Sequence, residues 1–103
     1  MEEHYPKINI SEIYKALKLI ESREGVDVFD KEELDDDISS IDGFILENLE
    51  NLNSELEGLN RAIKTDDKQL KKASLIQLRI NVMNLASEFD NLRENMDNLI
   101  RAT

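Results

Sequence analysis

The last fifth of the chain repeats every seven residues. Stacked from Val82, the segments VMNLASE, FDNLREN and MDNLIRA each place an apolar residue first, Asn third and Leu fourth. Apolar residues at the first and fourth places of a heptad form one long seam on a helix, at the positions conventionally lettered a and d. A β strand, whose side chains alternate with period two, has no use for that spacing. A helix built this way needs another element over its seam.

Followed upstream, the repeat predicts a helix over about 67–101 with seam Leu75, Leu78, Val82, Leu85, Phe89, Leu92, Met96 and Leu99. A second series predicts a helix over about 31–64, with Leu34, Ile38, Ile41, Ile45, Leu49, Leu52, Leu56, Leu59 and Ile63 on its buried face. Its steps alternate four and three except for two consecutive fours around Ile45, a stutter in the heptad. Gly43 sits beside it, a place where a long helix can kink or break. A shorter helix is predicted over 10–24, burying Ile10, Ile13, Leu17 and Ile20 with Tyr14 alongside, and stopped by Gly25 at the left-handed position that favours glycine. Each helix has a start signal of an Asx residue followed three places later by Glu or Gln: Asn9 with Glu12, Asp30 with Glu33, Asp66 with Gln69. Ile8 with Ile13, and Phe29 with Leu34, are placed to staple the first two starts. Residues 1–8 read as a flexible lead-in that holds the only histidine, His4.

The expected fold is therefore all-α and a single domain over 1–103. The second and third helices share a very short connection and must be antiparallel, a coiled-coil-like hairpin with the short first helix folded back on it. The long helices each span about 50 Å and the first about 22 Å, at 1.5 Å per residue. One half of the hairpin is then covered by the first helix, near Ala86 and Ile100, and the other half is not. In that uncovered half Ile76, Ile80 and Met83 form an additional apolar stripe. Its expected occupant is a second copy, which completes a four-helix bundle as a homodimer, or an amphipathic helix of another protein. Asn84, Asn91 and Asn98 are expected on the outer, solvated face.

Charge sharpens this reading. The formal net charge is −10, and residues 24–50 alone hold eleven acids against Lys31. Residues 61–79 instead hold Arg61, Lys64, Lys68, Lys71, Lys72 and Arg79 against Asp66 and Asp67. An overall negative chain is poorly suited to direct nucleic-acid or anionic-membrane binding, which begins with phosphate neutralisation. Lys68, Lys71, Lys72 and Arg79 are expected to flank the stripe and meet a partner's carboxylates. The acidic run offers an alternative role as a nucleic-acid mimic that inhibits a DNA-binding protein.

No chemistry of the common kinds can be assembled. There is no cysteine and one histidine, which excludes a thiolate or multi-histidine metal site and a His-based triad. Glycines 25, 43 and 58 are too scattered for a phosphate loop. Glu47-Asn-Leu-Glu50 and Glu94-Asn-Met-Asp97 resemble the ExxE and ExxD pairs with which all-α nucleotide pyrophosphohydrolases hold magnesium. The hairpin register, however, sets Glu47 opposite about residue 84 and separates the pairs by roughly 15 Å. Asp35, Asp36 and Asp37 with Asp42, Asp90, Glu94 and Asp97 form a better oxygen-ligand cluster for Ca²⁺ or Mg²⁺, the basis of a less favoured divalent-metal enzyme. The expectation is a protein that is no enzyme, holds no cofactor and resides in the cytoplasm. It would act as an inhibitor, antitoxin- or immunity-like protein, or chaperone or adaptor, by binding through helix 3.

Overall fold

The structure is a computed structural model that describes residues 9–29 and 31–103, with only the backbone described at 31–33, 36 and 37. The described residues form three helices: α1 (Ile10–Glu24), α2 (Lys31–Thr65) and α3 (Lys68–Ala102). No strand occurs among them. The bounds follow the sequence signals closely, but two of the caps work differently from the expectation. Asn9 makes no side-chain cap bond; its backbone carbonyl accepts the Glu12 N–H instead. The cap on α3 is Asp67, not Asp66, with its carboxylate accepting the Leu70 N–H at 3.0 Å. Asp66 is instead the left-handed residue that closes α2, at φ 52°. Its N–H reaches the Ile63 carbonyl and that of Asp67 reaches the Ala62 carbonyl, so two orphan acceptors of the helix end are satisfied. Gly25 ends α1 in the same way at φ 66°. The Asp30 start signal, with the Glu33 side chain, and residues 1–8 with His4 lie outside what is described.

α2 runs unbroken through Gly43. A helix keeps its backbone bonds across a single glycine at a cost of about 1 kcal/mol relative to alanine, and packing offsets that.

The chain divides into two compact units, Met1–Gly43 with Asn91–Thr103, and Phe44–Asp90. In the first, Ser11 pairs with Asp42 and Lys18 with Asp35. Seven residues forward on α1 are matched by seven backward on α2, so these helices are antiparallel. The core there is Tyr14, Leu17, Phe29, Leu34, Ile41, Leu92 and Leu99. The expected α1 stripe is rotated: Ile20 is exposed and Glu21 is buried in its place. The Glu21 Oε2 accepts the N–H groups of both Val28 and Phe29 at 2.8 Å, so one carboxylate oxygen holds the turn that leads into α2. Ile100, expected beneath the first helix, is exposed, and so is Ala86 in the other unit.

In the second unit, the Asn84 side chain donates to the Asn48 side chain at 3.1 Å, and Gly58 lies against Ser74. Ten residues forward on α2 are matched by ten backward on α3, so this unit is the expected antiparallel hairpin. Its turn is Asp66 and Asp67.

Candidate interaction surface

A heptad stripe several residues wide can meet its neighbour through either of two adjacent columns, and in the second unit it does so through the less apolar one. The side chains buried between α2 and α3 are Ile45, Asn48, Ala62, Ser74, Asn81 and Leu85, with Leu52, Glu55, Gly58, Leu59 and Leu78 half-buried. Their spacing, 45-48-52-55-59-62 on α2 and 74-78-81-85 on α3, is itself a strict three-four alternation. The seam therefore lies one position away from the expected one along half its length. Leu49, Leu56, Ile63, Leu75, Val82 and Phe89, all expected in the core, are 37–56% exposed.

Small and self-satisfied side chains make this seam possible. Gly58, Ala62 and Ser74 let the two backbones approach, and a β-carbon added at Gly58 would sit 3.6 Å from the Ser74 Oγ. The buried amides find partners close by, so their burial is cheap. The Asn48 Nδ2 donates to the Phe44 carbonyl at 2.8 Å and the Asn81 Nδ2 to the Gln77 carbonyl at 3.0 Å. Asn84, expected among the solvated asparagines, is half-buried on Asn48.

The displaced side chains gather on one flank. Each follows by one position a seam residue or, for Phe89, the half-buried Glu88 that continues the seam spacing, a rotation of 100°. Two antiparallel helices rotate in opposite senses when seen from one end, so the residues one step past the seam emerge on the same side of both. Leu49, Leu56 and Ile63 from α2 therefore share a flank with Leu75, Val82 and Phe89 from α3. Leu49 lies at the level of Val82, and Leu56 at the level of Leu75, by the register of the Asn48–Asn84 pair. The expected stripe of Ile76, Ile80 and Met83 is 44–53% exposed and stands farther round α3, turned away from α2. Ile76 and Met83 lie two positions past the seam residues Ser74 and Asn81. Leu46 and Leu70 add further half-exposed apolar surface.

The basic residues meant to flank the stripe divide into two kinds. Lys71 is engaged within the chain, its Nζ 2.5 Å from the Asp66 carboxylate. Lys68, Lys72 and Arg79 are exposed along α3. Lys72 and Arg79 precede Ile76 and Met83 by one turn, on the same side of the helix.

The acidic segment is partly occupied by structural work. Asp42 accepts the Ser11 N–H at 3.0 Å on one oxygen and the Ser11 hydroxyl on the other. It thereby caps α1 from a neighbouring helix, a role that no local spacing in the sequence reveals. Burial alone would raise its pKa, but the bonds from Ser11 and the Ile10 N–H, with Lys15 nearby, outweigh it and hold the carboxyl below its usual range. Asp35 pairs with Lys18, and Asp97 with Arg93 at 2.6 Å. Among the described residues no three carboxylates or imidazoles gather as a metal site would require. The side chains of Asp36 and Asp37 lie outside the described set. Glu47, Glu50 and Glu94 are exposed. No helix among the described residues is long and apolar enough to cross a membrane.

No protein-family model, curated protein or solved structure matches this chain.

Proposed function

We propose that the chain is a helical protein–protein interaction module of the inhibitor, immunity or adaptor kind, which works by binding and not by catalysis. One observation carries this reading. In residues 44–90 asparagine, serine, alanine and glycine share the helix–helix seam with a few aliphatic residues, while twelve large apolar side chains are at least 37% exposed. Contiguous exposed apolar surface of this extent usually marks an interaction site.

The occupant proposed for the Ile76, Ile80 and Met83 stripe is an amphipathic helix of another protein. Side chains spaced by four and three present a ridge that fits such a helix. Lys68, Lys72 and Arg79 flank the ridge, so the complementary helix carries carboxylates at its apolar margin. Lys71 is already paired and contributes less.

The test uses the chain as bait in lysate of its source, beside Ile80→Asp. The α-helical circular dichroism and melting of the variant should match the wild type, because Ile80 is 44% exposed and stands on the face of α3 turned away from α2. A protein retained by wild type at high salt and lost from the variant is the expected result. Equal retention by both baits, or unfolding of the variant, overturns the proposal.

A further inference from the structure

We infer that the other apolar flank, Leu49, Leu56, Ile63, Leu75, Val82 and Phe89, is closed by a second copy of the chain, packed antiparallel so that the basic turn of each hairpin lies over the acidic open end of the other. The inference rests on the interaction-module reading, but it uses different side chains from the Ile80 stripe.

Three observations lead to it. The first is extent. The six side chains are 37–56% exposed and together present on the order of 500 Å² of apolar surface, the size of the patches of about 300–600 Å² that are often functional on monomers. A standard interface takes about 800 Å² from each partner, of which roughly 60% is apolar. The flank alone supplies that share.

The second is charge. In the second unit Arg61, Lys64, Lys68, Lys71 and Lys72 lie toward the turn, against Asp66 and Asp67. Glu47, Glu50, Glu88 and Asp90 lie at the open end. Two copies that met with their turns together would stack the two basic ends. A two-fold axis across the helices, which reverses one copy, sets each basic end over an acidic one. An interface between identical surfaces must be self-complementary, and a charge gradient along the long axis is self-complementary only in this sense.

The third is register. A two-fold axis at the middle of the second unit, near Ser54 and Leu78, interleaves Leu49, Leu56 and Ile63 with the same residues of the second copy and alternates Leu75, Val82 and Phe89 with theirs. Both rows then fit within residues 44–90. The first unit supplies a precedent within the same chain. Asp35 and Asp42, in the heptad column of Leu49, there bond Lys18 and Ser11 of an antiparallel helix, α1. The second unit contains no such helix, and its column is apolar where that of the first is acidic. The arrangement leaves Ile76, Ile80 and Met83 on the outside of the dimer, free for a different partner.

The experiment has two arms. Sedimentation equilibrium should give twice the 11.9 kDa chain mass, and Leu56→Asp with Val82→Asp should raise the dimer dissociation constant by at least roughly 30-fold. Because the chain has no cysteine, single cysteines report orientation on an otherwise unaltered surface. Asn53→Cys should cross-link to itself on mild oxidation, and Thr65→Cys, at the turn, should not. A wild-type monomer at all accessible concentrations overturns the dimer while leaving the Ile80 test of the wider reading standing. A dimer unaffected by the paired substitutions also overturns it. A dimer that cross-links through residue 65 and not through residue 53 overturns the antiparallel arrangement, whether or not the aspartate variants fold.

Discussion

Glu21 offers the sharpest test of how the first unit is held. One of its carboxylate oxygens accepts two backbone N–H groups, from Val28 and Phe29, each at 2.8 Å, and both Glu21 and Phe29 are buried. Glu21→Ala removes both acceptor bonds at once. A buried donor left unsatisfied costs about 1–3 kcal/mol, and the Phe29 N–H is the more buried of the two. The expected loss is therefore on the order of 3 kcal/mol, after the small gain in helix propensity that alanine brings. Glu21→Gln behaves differently, because its single carbonyl oxygen can take the place of Oε2 and accept both bonds. It forfeits only the charge assistance, about 1 kcal/mol. Urea unfolding followed by circular dichroism measures the difference, and native-state hydrogen exchange at Val28 and Phe29 localises it. If alanine costs no more than glutamine, or if the two amides are equally protected in both variants, the turn is not held by this carboxylate.

Other perturbations have equally definite outcomes. Asp42 has a folded pKa held below its unfolded value, so its contribution is fully present above the unfolded pKa, near 3.8. It is lost as pH falls through the folded value. Acid titration of wild type and Asp42→Asn should give stability curves that differ near neutrality and converge in strong acid; curves that stay parallel refute the assignment. Gly43 has helical backbone and open space where a β-carbon would stand. Gly43→Ala should therefore stabilise the protein by roughly 1 kcal/mol in thermal or urea unfolding, and a loss would mean that α2 bends there.

The ends of the helices were legible in the sequence because capping and termination are local. Gly25 can adopt positive φ cheaply, Asp66 and Asp67 sit at the shortest possible connection, and the apolar periodicity stops at each. The N-cap shifted by one residue at α3 since adjacent aspartates compete for the same role, and backbone geometry gives Asp66 the left-handed position. The direction in which each helix points was much less legible. Period-seven spacing identifies a stripe but does not fix which edge of it turns toward the neighbouring helix. Taking every large apolar residue as seam put Leu49, Leu56, Ile63, Leu75, Val82 and Phe89 inside. A signal for the other answer was present: Asn48, Glu55 and Ala62, and likewise Ser74 and Asn81, form seven-spaced columns that directly precede the apolar ones. Small and polar residues in such columns permit a closer backbone approach than leucine does. Glu21 was hidden in the same way, as the third member of the 14-17-21 spacing. The pairing of Asp42 with Ser11 joins residues far apart in the chain and had no local sign.

The most direct measurement of the central claim is hydroxyl-radical footprinting of the full chain, read residue by residue at a series of protein concentrations. At high dilution Leu56, Phe89, Ile80 and Met83 should be oxidised far faster than Ile45, Tyr14 and Leu85. As concentration rises, Leu56 and Phe89 should become protected together while Ile80 and Met83 stay reactive. Protection of Leu56 and Phe89 at every dilution would place them in the core of the single chain and contradict the displaced seam on which the whole account rests.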